Sequence, residues 1–278
     1  MKNQTLPTTT PRGPKRFSDL VGIDHLMSTI RRMVESRNYH GVLIVGESGT
    51  GKTPLANLLY ARAHCDRPDD LDPCGMCDAC TTVLEGGGND GVKCYGYQLS
   101  SNDYEYLKFH LRGMPMDYQR KSLYIDRLES TPNSLLVRLP EIMDKHPQAP
   151  IIMTAATIDS LPEPLVSRCR ILHLNQFTTE TMASWTAKVA NAAGLATPDD
   201  HALHTLIEAA GLIPGRILKA IELLAGEADS LTMESLESPI VQANLAPSTI
   251  AEPLLTMSTL GPEQAALEDG GPLRMLEQ

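Results

Sequence analysis

Aromatic residues are scarce in this chain of 278: three Phe, eight Tyr and a single Trp make up 4% of it. That excludes a core built on stacked rings, so the 42% hydrophobic content must pack as aliphatic side chains, with twelve Met as adaptable filler. No apolar run reaches the length of about 18 residues that a membrane-spanning helix needs, so no membrane segment is expected. The opening stretch "MKNQTLPTTTPRGPKR" lacks the apolar region of a secretory signal, and the expected location is cytoplasmic. Basic charge is also in deficit: 24 Lys and Arg face 34 Asp and Glu, for a formal net charge of −10. Residues 229–278 hold eight of those acids and one base, Arg274, which leaves the rest of the chain close to balanced. One continuous basic face for DNA is therefore excluded, and any nucleic-acid contact must be local or shared among subunits. Six Cys in such a chain point to metal ligands or free thiols before disulfides.

Strand and helix patterns alternate through the first two thirds. "GVLIVG", Lys121–Asp126, "APIIMTAAT" and "RILHLNQF" are short apolar runs that predict four buried strands. A helix is expected over about residues 23–38, with Ile23, Leu26, Ile30 and Met33 on one face, and another from Thr53 to about Ala63. "NSLLVRLPEIM" reads as helical at its start, with Pro140 expected to kink or end the helix. This alternation predicts an α/β fold with a parallel sheet covered on both faces. After Phe177, three amphipathic segments with Gly stops predict a small helical domain. The expected organisation is a flexible N-terminus at 1–14, a nucleotide-binding domain at 15–177 with a cysteine module at 65–80, a helical lid at 178–228, and an acidic, disordered tail at 229–278.

Gly46-Glu47-Ser48-Gly49-Thr50-Gly51-Lys52-Thr53 matches GxxxxGK[ST] between an apolar strand and a helix. Glycines let the backbone wrap phosphates, the helix N-terminus adds partial positive charge, Lys52 neutralises β- and γ-phosphate oxygens, and the Thr53 hydroxyl can ligate Mg²⁺. With strand, loop and helix in register, a phosphate site is favoured over a chance Gly-rich turn, and ATP is the expected ligand. Pro54 sits in the first helical turn, where a missing N–H costs little. Cys65, Cys74, Cys77 and Cys80 form C-x8-C-x2-C-x2-C, a spacing that can surround Zn²⁺ tetrahedrally. Four thiolates leave no open position, so the zinc would be structural; His64 is a rival ligand that the set does not need. Asp126 ends a buried strand, where a carboxylate organises Mg²⁺ in nucleotide-hydrolysing proteins.

The order of "PKRFSDLVG", "GESGTGKT", Cys65 with "PCGMCDAC", "LYID", "NSLLVRL" and "LPEPLVSRCRILHL" resembles the AAA+ motor subunits of clamp loaders, of the gamma/tau kind in bacterial DNA polymerase III. The likeness runs from about Pro14 to Leu224. It implies a P-loop AAA+ domain with a zinc-module insertion and a helical lid. It implies that Val21 and Gly22 line an adenine pocket, that Lys52 and Thr53 contact phosphate and Mg²⁺, and that Asp126 organises the metal. It further implies that Arg168, in Ser167-Arg168-Cys169, reaches a neighbouring subunit's γ-phosphate. Arg216 falls either at a nucleotide-sensing position or simply at a solvated helix start. The implied partners are other clamp-loader subunits in a ring, a sliding clamp and primed DNA.

The sequence departs from that pattern in four places. Arg127 stands where the family has a water-polarising Glu, and an arginine cannot accept the proton. The segment from Asp126 to Asn133 is shorter, with Glu129 nearby. Ala156 stands where a polar residue is expected, with Thr157 beside it. The acidic stretch stands where a helical collar is expected. Two functions compete on these grounds: a clamp-loader-like subunit with weak hydrolysis, and a hydrolysis-deficient interaction module that holds ATP and zinc structurally.

Overall fold

The computed structural model describes residues 14–84, 89–117, 119–174, 177–196, 199–227, 230–238 and 241. A short helix, α1 (Met27–Glu35), leads to the central strand β1 (Val42–Val45) and the phosphate-loop helix α2 (Lys52–His64). Next come α3 (Asp78–Leu84), β2 (Gly91–Tyr95), α4 (Asp103–Arg112), β3 (Ser122–Asp126), α5 (Asn133–Leu136), α6 (Leu139–Lys145), β4 (Ile151–Ala155), α7 (Glu163–Val166) and β5 (Arg170–His173). The described residues close with α8 (Thr179–Ala192), α9 (Asp200–Ala209), α10 (Pro214–Glu227) and α11 (Met233–Leu236). All strands pair in parallel, in the order β2-β3-β4-β1-β5.

The apolar strands are explained by burial on both faces. Val42 and Ile44 of β1 face a cluster with Ile30, Met33, Leu55, Leu58 and Leu59 from α1 and α2. Leu43 and Val45 face the other side, against Leu107, Leu139 and Ile142 from α4 and α6. Side chains alternate along a strand, so covering both faces requires an uninterrupted apolar run. Several elements were not among the expected ones, β2 and α4 chief among them. Strand β2 reads "GVKCY", whose half-exposed alternation suits a sheet edge and gives a weak apolar signal. Helix α4 shows only a narrow buried stripe of Tyr104, Leu107 and Leu111.

Pro140 follows the expected break, since the helical run closes at Leu136 and reopens at Leu139. It lies in the first turn of α6, where its fixed φ suits the helix and no N–H is required. The expected helix over 23–38 is confined to α1, with a 3-10 turn at Asp24–Leu26 before it. The helical layer also continues past 228 instead of giving way to disorder there. Leu231, Leu236 and Val241 are buried against α8–α10, and Ala196 bridges Ser230. Those apolar side chains tie the start of the acidic segment to the lid; the remainder of 229–278, like 1–13, lies outside the described residues.

Candidate functional site

A cavity of about 500 Å³ opens where the carboxyl ends of β1 and β3 meet the helical layer. That volume is within the usual range for small-molecule and cofactor sites, and ligands of open parallel sheets sit at this edge. Ser48, Gly49, Thr50, Gly51, Lys52, Thr53 and Pro54 form one wall. Gly51 takes φ +102° immediately before α2, a backbone state that side chains rarely tolerate. Gly46 and Glu47 stand behind this wall, and their carbonyls accept hydrogen bonds from the Lys52 ammonium at 2.6 and 2.8 Å. Burial pulls the Lys52 pKa below the usual lysine value, against the opposing carboxylates of Glu129 and Asp126.

The metal-ligand pair expected from sequence is brought together. The Thr53 hydroxyl donates to Asp126 Oδ2 at 2.9 Å. The other Asp126 oxygen accepts from the Thr154 hydroxyl and, at 3.1 Å, from the Arg127 N–H. Asp126 is thus buried but fully supported, as a carboxylate in a cavity wall must be. The polar side chain from β4 that touches Asp126 is Thr154. Ala156 lines the cavity without a polar atom, and Thr157 turns its hydroxyl to Asp159 at 2.7 Å.

Arg127 sits at φ +54°, a left-handed conformation that is uncommon for a side-chain-bearing residue. Its carbonyl accepts from Ser130 N–H and hydroxyl, closing a 3-10 turn at Leu128–Ser130. This turn carries Glu129 into the cavity lining beside Lys52, Asp126 and Arg127. Glu129 Oε2 is sealed from solvent and has no hydrogen-bond partner among the described residues. Sequence reasoning noted this residue but had no geometry for it.

The far end of the cavity is apolar. Leu20, Val21 and Ile23 meet Trp185 from α8 with Pro214 and Leu218 from α10, a slot suited to a flat base. Val21 therefore lines the cavity, while Gly22 is buried beside it at φ +72° without lining it. Trp185 was missed, although the single Trp of the chain within an amphipathic segment was a signal. Gly215 was missed as well. Its N–H donates to Gly49 O at 2.9 Å, which fastens the helical layer to the phosphate loop.

Two arginines named from sequence lie outside the cavity. Arg216 donates to Ala210 O at 3.4 Å, at the end of α9. Arg168 grips Asp144 through Nε and Nη2 at 2.9 and 3.0 Å and donates to Pro164 O at 2.8 Å. That hydrogen-bonded pair lowers the Asp144 pKa.

The sulfurs of Cys65, Cys74, Cys77 and Cys80 all lie within 4.8 Å of one another, and none is in a disulfide. Backbone N–H groups of Cys74, Cys77 and Cys80 point at the sulfurs of Cys65, Cys74 and Cys77 at 3.3–3.4 Å. Such N–H groups suit thiolates, and four thiolates suit zinc. Burial raises the Cys65 and Cys80 thiols. Burial also opposes ionisation of Cys74, but N–H groups of Met76 and Cys77 and the neighbouring thiols outweigh it and bring that thiol to about 7. His64 pairs instead with the Ser122 hydroxyl at 2.8 Å and is not grouped with the four Cys. Cys94 and Cys169 stand apart, against the carbonyls of Tyr124 and Leu165.

Comparison with known proteins gives three findings. The family model described as "DNA polymerase III, delta subunit" matches residues 24–178. Among curated proteins, the chain is 24% identical over 217 residues to the DNA polymerase III subunit gamma/tau of Mycoplasma pneumoniae, covering 76% of this chain and 31% of that protein. It is 29% identical over 175 residues to the tau subunit of Salmonella typhimurium, covering 60% and 26% respectively. Protein STICHEL-like 4 of Arabidopsis thaliana is 27% identical over 160 residues, covering 56% and 16%. The chain therefore spans less than a third of the length of each of these relatives. Among solved structures, the Thermotoga maritima RuvB Holliday junction branch migration motor matches with a TM-score of 0.56 at 15% identity, covering 82% of this chain and 71% of that one. The structural likeness shows the fold, an α/β AAA+ domain followed by helices.

Proposed function

The chain belongs to the DNA polymerase III delta-subunit family, and from that premise we propose that it is an ATP-binding, clamp-loader-like subunit acting in DNA replication. The observation that carries this reading is the 500 Å³ cavity in which the phosphate loop, the Thr53–Asp126 hydrogen bond and the apolar slot at Val21 and Trp185 converge. The slot takes the base and the loop takes the phosphates, with Lys52 exchanging its carbonyl partners for phosphate oxygens. Thr53 and Asp126 would hold Mg²⁺, which neutralises phosphate charge. The four Cys would hold a structural zinc.

Turnover is slow on this reading, and Glu129 is the carboxylate that orients water. Arg127 cannot serve as the base, but Glu129 lies in the same cavity wall with an oxygen free of partners. Arg168, held by Asp144 outside the cavity, would serve a neighbouring subunit once that carboxylate yields it. The wider assembly is a ring of related subunits that helps place a sliding clamp on primed DNA. Measuring ATP binding and turnover together, with and without primed DNA and a clamp, tests the proposal. The expected result is stimulated turnover that Lys52→Ala abolishes and that Glu129→Gln slows about 100-fold while leaving binding intact. Tight binding without turnover under every condition would favour the second reading, an interaction module that holds ATP structurally. The Arg127 substitution is the observation on that side.

A further inference from the structure

At the amino ends of β1 and β3, on the sheet edge opposite the phosphate loop, three arginines face one crevice. Arg37 precedes β1, Arg62 lies in the last turn of α2, and Arg120 precedes β3. With Tyr39, Cys65, Asp66 and Gln119 they line a cavity of about 60 Å³, next to the four-cysteine cluster. Two of the guanidiniums are anchored by backbone. Arg62 donates to Leu71 O at 3.1 Å and Asp70 O at 3.3 Å, and Arg120 donates to Arg37 O at 3.0 Å. None of the three forms an ion pair among the described residues, although the chain carries 34 acids and Asp66 lies at the rim.

Three like charges share this crevice with one carboxylate, Asp66, and the excess positive charge repels itself, which salt screens only in part at such range. A second feature points to the same place. Tyr39 is buried at 3% exposure, and its hydroxyl has no hydrogen-bond partner among the described residues. A buried orphan hydroxyl is costly unless something occupies it. Burial raises the Tyr39 pKa, the charges of Arg62, Arg37 and Arg120 act in the opposite direction, and Cys65 adds to the rise.

We propose that this crevice is a second anion site, built for a single phosphate group. Guanidiniums bind phosphate through paired, charge-assisted hydrogen bonds, and their planar forks favour it over a spherical anion. A cation is excluded by the three arginines. A water needs only about 10–15 Å³ of cavity, so this crevice admits a tetrahedral oxyanion. It is far too small for a nucleotide, which separates it from the 500 Å³ cavity at the opposite sheet edge. The phosphate can be free, or can belong to a nucleic-acid backbone lying across the exposed Arg37 and Gln119. The chain's overall acidity favours such a local contact over a broad basic face.

The test uses the full zinc-loaded chain carrying Lys52→Ala, so that the phosphate loop does not contribute. Inorganic phosphate is titrated at constant ionic strength, with thermal shift and calorimetry as readouts. The expected result is saturable stabilisation by phosphate but not by chloride. Arg37→Gln, which removes no backbone anchor of its own side chain, should weaken phosphate binding by about tenfold. Tyr39→Phe should leave the phosphate-free protein folded and weaken the phosphate response as well. A short oligo-dT strand is the second arm. If Arg37→Gln weakens DNA binding and phosphate competes with the strand, the source is backbone phosphate; if only the phosphate response changes, it is the free ion. No saturable phosphate effect, or an effect that neither Arg37→Gln nor Tyr39→Phe alters, overturns the proposal.

Discussion

Gly215→Ala tests whether the helical layer and the phosphate loop act as one unit. A Cβ at position 215 would stand 2.9 Å from Gly49 Cα and 3.0 Å from Gly49 O. Both are backbone atoms of the loop, so no side chain can swing aside. Alanine itself is the better helix former, by up to about 1 kcal/mol. Against that, relieving an overpacked contact costs about 1–3 kcal/mol, and losing the 2.9 Å hydrogen bond from Gly215 N–H to Gly49 O costs about 1 kcal/mol more. The net is roughly 1–3 kcal/mol, taken up by separation of α10 from the loop. Because Pro214, Gly215 and Leu218 form part of the cavity wall, that separation should weaken ATP binding about tenfold or more. Intrinsic fluorescence of Trp185, the only tryptophan, reports directly on this wall. Lys219→Ala, at an exposed position on the same helix, is the control and should change nothing. If Gly215→Ala binds ATP as the natural chain does, with an unchanged Trp185 response, the loop–lid contact has no part in nucleotide binding.

Two further expectations concern the metal and pH. Purified protein should contain about one zinc per chain, and returning zinc to chelated protein should release protons, because burial keeps the Cys65 and Cys80 thiols protonated until metal binds. Metal analysis with a pH indicator checks both, and Cys77→Ser should abolish both. His110, whose pKa burial and then Lys121 push below the ordinary value, binds its proton less readily folded than unfolded. Its contribution to stability is therefore fully present above the unfolded pKa of about 6.5 and is lost as pH falls through the folded value. Urea midpoints across that window should fall with pH less steeply for His110→Gln than for the natural chain.

Much of this was readable in the sequence wherever one motif fixed both geometry and chemistry. "GVLIVGESGTGKT" specified strand, loop and helix together, because only that arrangement satisfies its glycines and its apolar run. Strands β1, β3, β4 and β5 were legible because burial on both faces leaves no polar interruption. The edge strand β2 and helix α4 were not, since partial exposure dilutes their periodicity. Glu129 shows a different limit. Its approach to Lys52 depends on the left-handed turn at Arg127, and no spacing rule encodes that backbone state. Likewise, Thr154 lies two positions before Ala156, the position that the family pattern singles out, yet its hydroxyl touches Asp126 because of strand register. The pairing of Gly215 with Gly49 joins residues 166 positions apart and belongs to tertiary structure alone.

The proposed function rests on Mg·ATP binding in the cavity through Lys52, Thr53 and Asp126. The most direct measurement is equilibrium titration of the full chain with Mg·ATP, followed at Trp185 and by calorimetry. The account predicts saturable binding at one site per chain, lost in Lys52→Ala and weakened when Mg²⁺ is withdrawn or Asp126→Asn is introduced. A chain that shows no binding, or that binds equally well after Lys52→Ala, contradicts it.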